Sequence, residues 1–290
     1  MEKEVLMVEK AADKGHVVLN NVSKCFFEDE KKILCLDQLS IEIPPGQLTV
    51  LMGPSGCGKT SMINLIAGYE TPDTGSITID GEKITEPGHD RLVVFQETAL
   101  FPWMTVFNNV AFGPKAKGLA EKDIKEKTES ILETVGLQDF QDKYPTQLSG
   151  GMQRRAELAR ALVNEPSVMI LDEPFRGLDA MTRELMQEFY LKLFDETKIT
   201  TLFVTHELEE AIFMADTVII LTYKPGRVRK VVKVPLERPR HFSVSASKEY
   251  MDIFNDTIEI LFEEAKKAFD HDDASSLDII QSLKRNSDDS

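Results

Sequence analysis

The sequence predicts an α/β fold: a parallel sheet with helices on both faces, an antiparallel β part near its start and a helical insertion in its middle. Three observations carry this. Four short runs, "QLTVLM", "RLVVF", "SVMILDE" and "TTLFVTH", are apolar almost throughout, as strands buried on both faces must be. Helical stretches separate them, the alternation expected of a parallel sheet. Before Gly46 the segments "VVLNNV" (Val17 to Val22) and "SIEI" (Ser40 to Ile43) read as strands, and Asp80-Gly81 in "SITIDGEKI" is a tight-hairpin signal.

The remaining elements follow along the chain. Between Phe95 and Val168 the pattern is mostly helical, notably "EKDIKEKTESILETVGL" and a helix that opens after Gly151 and stops near Asn164-Glu165-Pro166. This predicts a helical subdomain over about 97–165 inside a domain spanning 17–234. From Gly226, "GRVRKVVKV" alternates like an exposed strand. Tyr250, Phe254, Ile258, Leu261 and Ala265 fall at helical spacing, so 235–269 reads as a C-terminal helical extension, with a polar, acidic and disordered tail over 270–290.

Composition narrows the function classes. The 290 residues include 49 acidic against 34 basic side chains, a formal charge of −15, which argues against nucleic acid as a partner. Three cysteines, Cys25, Cys35 and Cys57, lack metal-type spacing and point to a reducing compartment. The opening "MEKEVLMVEKAADKG" lacks the apolar stretch of a signal peptide, and no apolar run approaches the length of a membrane span, so a membrane role must come through a partner.

The chemistry begins at "GPSGCGKT", Gly53 to Thr60, between a buried-strand pattern and the helical "SMINLIAG". That is the context of a G-x-x-x-x-G-K-[ST] loop. Gly53, Pro54, Ser55, Gly56, Cys57 and Gly58 would wrap phosphates in backbone N–H groups, Lys59 would neutralise β/γ oxygens, and the Thr60 hydroxyl would hold Mg²⁺. Further on, "VMILDE" ends a strand in Asp172, suited to orienting the Mg²⁺ shell, and Glu173, suited to taking a proton from the attacking water. Taken alone, such acids fit solvated loop charges equally well; behind a complete phosphate loop they read as catalytic. Cys57 within the loop predicts that an alkylating reagent blocks activity, with ATP protecting, provided the thiol is accessible.

A second anion site stands about a hundred residues later. In "LSGGMQRRAELARAL", Ser149, Gly150 and Gly151 open a helix whose N-terminus offers free N–H groups. "LSGGMQ" shortly ahead of "LDEP" resembles the signature of the ABC (ATP-binding cassette) ATPases, and the resemblance runs from about Asn21 to about Val234. It implies a P-loop NTPase (RecA-like) core with an N-terminal antiparallel β subdomain and a helical ABC-specific subdomain. It also implies a homodimer, in which the signature of one subunit meets the γ-phosphate of ATP held by the other. Residue by residue, Gln96 resembles the glutamine that reaches Mg²⁺ and the water, His206 the switch histidine at the γ-phosphate, and Ser61 a contact to the α-phosphate. Phe26 resembles the aromatic that stacks on adenine, although Phe27 could serve instead and either could be core.

"EPFRGLDA" keeps Leu178 and Asp179 of the family's D-loop, but Arg176-Gly177 stands where small residues are usual, and Glu207 replaces the commoner Asp after His206. A long cation there either pairs with an acid across the dimer interface or hinders closure. "VFQETALFPWMTVFNNVAFG" resembles the corresponding stretch in bacterial importers of nitrate, sulfonates, taurine and similar solutes. Phe101, Trp103 and Phe107 then read either as a groove for membrane permease subunits or as core of the insertion. The implied protein is a peripheral ATPase on the cytoplasmic side of the inner membrane, served indirectly by a periplasmic or lipoprotein solute-binding protein. The rivals are an ABC protein without transport, in DNA maintenance or on the ribosome, and a P-loop kinase or simple nucleotide-binding module. One cassette, no coiled coil and net acidity oppose the first; "LSGGMQ" has no role in the second.

Overall fold

The computed structural model describes residues 13–28 and 31–270. The N-terminal stretch read for a signal peptide, up to residue 12, and the expected acidic tail beyond Asp270 lie outside the described residues. In chain order the elements are β1 (Val17–Glu28), β2 (Lys31–Ile43), β3 (Leu48–Met52), α1 (Lys59–Ala67), β4 (Thr74–Ile79), β5 (Glu82–Lys83) and β6 (Arg91–Val94). Then come α2 (Val106–Ala116), α3 (Glu121–Thr134), α4 (Gly150–Leu162), β7 (Val168–Asp172), α5 (Ala180–Thr197), β8 (Thr200–Val204), α6 (Leu208–Met214), β9 (Thr217–Leu221), β10 (Val228–Lys233) and α7 (Lys248–Asp270).

Two sheets form. The first is antiparallel in the order β2-β1-β4-β5, and Asp80 and Gly81, both at positive φ (52° and 82°), close its hairpin. The second has the order β10-β9-β3-β8-β7-β6, parallel from β9 to β6 with β10 antiparallel at one edge. Beyond the four apolar runs and the alternating strand after Gly226, it contains one more strand: "TVIIL" of β9, wholly buried and parallel to β3.

The second sheet owes its continuous apolar runs to two different cores. Val168, Ile170, Leu202 and Val204 face α1 and the antiparallel sheet, packing with Leu19, Leu39, Ile63 and Ile66. Met169, Leu171 and Phe203 face the other way, onto Phe194, Ile212, Phe213 and Leu261 of α5, α6 and α7. A third cluster, including Val110, Leu132, Leu148 and Ala159, holds α2, α3 and α4 together. The segment 97–104 that leads into them is not helical; the first helix starts at Val106, capped by the Thr105 side chain, which accepts from Asn108 N.

The chain after β10 folds back onto α6. Phe242 stacks on Phe213 at 4.4 Å, Tyr250 Oη donates to Glu209 O, and the buried Arg240 guanidinium donates to Phe213 O and Ala215 O at 2.9 and 2.8 Å. Arg240 thereby satisfies carbonyls that the C-terminus of α6 leaves open.

Beneath this contact Glu210 is buried and accepts from Gln187 Nε2 at 2.8 Å. Burial pushes its carboxyl up to about 7; hydrogen bonds from Thr205 and Gln187 offset part of this, nearby Glu207 adds to it, and Arg183 opposes it. The unfolded chain ionises this group near its ordinary 4.5, so the folded state loses stability as pH rises from there through about 7. Glu210→Gln is therefore expected to flatten the decline in urea midpoint between about pH 5 and about pH 8. Equal slopes for the two proteins contradict this.

Candidate functional site

The loop between β3 and α1 needs its glycines for steric reasons. Gly56 and Gly58 adopt φ of 75° and 98°, and a Cβ on Gly58 would stand 2.5 Å from Leu36 Cδ2. Lys59 is buried, its Nζ donating to Gly53 O at 2.8 Å and Pro54 O at 3.1 Å. Thr60 is exposed in the first turn of α1, Ser55 and Ser61 are half-buried, and Ser61 Oγ lies 3.3 Å from Cys35 Sγ. Behind the loop, Gly226 pairs with β2 through Cys35 O and Asp37 N, and a Cβ there would meet Cys57 O at 2.1 Å. In the sequence Gly226 reads only as the start of a strand.

The acids lie two strands away. Asp172 ends β7; Glu173 follows at φ 44° and donates its N–H to Val204 O of β8. The Glu173 side chain is 10% exposed, with Oε1 2.5 Å from His206 Nε2 and Oε2 2.9 Å from Arg176 Nη1. Burial alone would raise the Glu173 carboxyl, but the contacts to His206 and Arg176 outweigh it and hold the group low. Asp172 goes the other way: burial and the neighbouring Glu173 charge raise it, while Lys59 and His206 pull it down. Lys59 is thus electrically coupled to Asp172, and His206 to both acids. His206 Nδ1 is buried with no hydrogen-bond partner among the described residues. Arg176, expected to pair across an interface or to hinder closure, pairs within its own chain.

Gln96 is exposed just past β6, and its segment is tied to the glycine-opened helix. Arg154 of α4 donates to Phe95 O at 2.8 Å and to Gln96 O, and pairs with Glu157 at 2.7 Å; Glu157 in turn accepts from Ala99 N at 2.5 Å. Both side chains are buried, and burial raises the Glu157 carboxyl despite Arg154. Nothing in the sequence alone marks the two as partners beyond a cation and an acid three apart on the face that carries Leu158 and Ala161.

Ser149 caps α4, accepting from Met152 N at 3.3 Å. A Cβ on Gly150 or Gly151 would approach Leu178 or Thr182 to 3.2 or 3.1 Å, so the start of α4 packs closely on the turn before α5 and on the first turn of α5. Asp179 is exposed and caps α5; hydrogen bonding from Thr182 holds its carboxyl low.

Several expectations need correction. Phe26 and Phe27 are exposed, so neither is core; Lys24 Nζ stands 5.4 Å from the Phe26 ring. The aromatic group divides: Phe107 packs on the core of α2 to α4, whereas Trp103 is 70% exposed beside Phe101. Phe101, Phe112, Phe95 and Arg160 line a cavity of about 480 Å³ next to β6. Cys57 is fully buried, and burial raises its thiol above the ordinary value, so the condition for ready alkylation is not met.

Among the described residues no helix is long and apolar enough to cross a membrane. A family profile described as ABC transporter matches residues 36–176. The chain is 40% identical over 268 residues to an uncharacterized ABC transporter ATP-binding protein of Methanocaldococcus jannaschii, covering 92% of this chain and 99% of that one. It is 43% identical over 218 residues to a taurine import ATP-binding protein of Roseobacter denitrificans, 75% of this chain and 81% of that one. An aliphatic sulfonates import ATP-binding protein of Bacillus anthracis is 40% identical over 225 residues, 78% of this chain and 88% of that one. Among solved structures, a dimeric ATP-binding cassette in a post-hydrolysis state with ADP and phosphate superposes with a TM-score of 0.67 at 30% identity, covering 76% of this chain and all of that one.

Two outcomes are expected at the glycine loop. Gly58→Ala forces a left-handed alanine against Leu36 and should abolish nucleotide binding or lower the unfolding midpoint measurably; wild-type behaviour in both assays would contradict the steric reading. In the native protein a maleimide should modify Cys25 and Cys35 well before Cys57, read by peptide mass spectrometry, with Cys57 catching up only in denaturant.

Proposed function

We propose, since the chain belongs to the ABC transporter family, that it is the ATP-hydrolysing subunit of an importer for a small solute: taurine, another sulfonate, nitrate or a similar compound. The observation that supports this most is that the Lys59 loop, Asp172, Glu173 and His206 all lie at or just past the carboxyl ends of the neighbouring strands β3, β8 and β7.

The residues divide the work. Backbone N–H groups from Ser55 to Ser61 hold the phosphates of ATP, and the Lys59 ammonium supplies positive charge beside them. Phe26, exposed on β1, offers a face for adenine. Thr60, Gln96 and Asp172 form an all-oxygen donor set, which suits a hard cation, and the raised Asp172 carboxyl is a group that a neighbouring cation would return to its ionised form. Thr60, Gln96 and Asp172 would hold Mg²⁺ there, which would supply charge neutralisation for the transferring phosphoryl group. Glu173 takes the proton of the attacking water, and His206, in contact with its Oε1, is the group offered to the γ-phosphate. Neither residue needs to form a covalent intermediate.

Ser149, Gly150 and Gly151 complete the site of a second copy of this chain: a helix N-terminus presents positive dipole and bare backbone to a γ-phosphate. ATP then holds two subunits closed, and hydrolysis releases them. Trp103 and the cavity beside Phe101 and Phe112 offer the docking face for permease subunits. Those subunits place this protein on the cytoplasmic side of the inner membrane and receive solute from a periplasmic or lipoprotein binding protein. The names of the relatives favour import over DNA maintenance or ribosomal work.

Lys59→Ala should lose ATP binding, and Glu173→Gln should bind ATP while losing roughly 100-fold or more in kcat. A Glu173→Gln protein that hydrolyses ATP near the wild-type rate would remove Glu173 from the reaction.

A further inference from the structure

The turn that follows Glu173 is built to be rigid. Arg176 N donates to Glu173 O at 3.1 Å, closing it, while Pro174 and Phe175 are buried within it and Phe175 packs on Phe203 of β8 at 5.7 Å. This closure brings the half-exposed Arg176 guanidinium over the nearly enclosed Glu173 carboxylate. The two oxygens of that carboxylate are met from different directions: Oε1 by His206, on the turn after β8, and Oε2 by Arg176, from the turn after β7. The terminal torsion of a glutamate is otherwise broad and two-fold. With a charge-assisted donor on one oxygen and His206 on the other, rotation breaks both contacts at once.

We propose that Arg176 is a positioning residue for ATP hydrolysis, fixing the plane of the Glu173 carboxylate so that its proton-accepting lone pair is aimed before water is bound. The inference rests on the reading of Glu173 as the base. It gives a purpose to a cation at a position where small residues are usual. Arg176 itself is half-exposed and His206 stays on the Glu173 carboxylate, so the Arg176 side chain can be removed without loss of the fold.

The test uses the full chain in four forms: wild type, Arg176→Ala, Glu173→Gln and the double variant, with Arg176→Lys as the conservative replacement. Arg176→Ala should lower kcat roughly 5- to 20-fold, the scale of a displaced catalytic group, and leave the KM for ATP within about twofold. Arg176→Lys should recover part of the loss, keeping the charge while losing the planar fork. On the Glu173→Gln background, Arg176→Ala should have no further effect. Independently of activity, the Glu173 side-chain carboxyl carbon resonance of the nucleotide-free protein, assigned by its absence in Glu173→Gln, should shift and broaden in Arg176→Ala. An unchanged or raised kcat in Arg176→Ala, or an equal loss on the Glu173→Gln background, overturns the proposal while leaving Glu173 as the base. Full activity in Glu173→Gln overturns both together.

Discussion

The site depends on the parallel register of four buried strands. In β3, β8, β7 and β6, Leu51 lies opposite Val204, Val204 opposite Asp172, and Leu171 opposite Val94, so four loops leave the sheet at one level. Those loops carry Lys59, His206, Glu173 and Gln96. Nothing in the polar groups themselves enforces this alignment; the alternation of apolar side chains does. A slip of one residue in β7 would turn Val168 and Ile170 from the α1 side to the α5 side and bring Met169 and Leu171 into their places, exchanging two cores of different shape. The chemistry is therefore positioned by packing that never touches the nucleotide.

Buried charge then links the sheet to the helical segment. Breaking the Arg154–Glu157 pair would strand a charge in a dry environment, an expensive outcome, whereas the intact pair adds little net stability. Its value is geometric. Arg154 holds the carbonyls of Phe95 and Gln96, and Glu157 holds Ala99 N, so α4 cannot shift without carrying the segment after β6 with it. The helix that opens at Gly150 and the glutamine at position 96 are in this way mechanically one body. The same reasoning extends to the other end of the molecule, where Arg240, Phe242 and Tyr250 grip α6, the helix that begins two residues after His206.

Much of this was legible in the chain itself. Apolar runs announce buried strands, Asp80-Gly81 announces a hairpin, and the loop at Gly53 to Thr60 carries its chemistry in its residue types. Other features resist such reading for physical reasons. "TVIIL" of β9 comes three residues after the apolar helix α6, "LEEAIFM", so in the sequence its run merges with that of the helix. The burial of Cys57 depends on Gly226 closing in from a distant turn, and the contact of Glu173 with His206 joins residues 33 apart. The role of Arg154 is similarly tertiary: in the sequence it is one more cation on an amphipathic helix.

The central claim is that Ser149 to Gly151 form half of an ATP site shared between two copies of this chain. Light scattering of Glu173→Gln tests it most directly, because that protein should bind ATP and fail to hydrolyse it. The account predicts a doubling of mass on adding ATP, abolished by a further Ser149→Arg change that crowds the helix N-terminus. A protein that binds ATP yet keeps the monomer mass, or a dimer indifferent to Ser149→Arg, would contradict it.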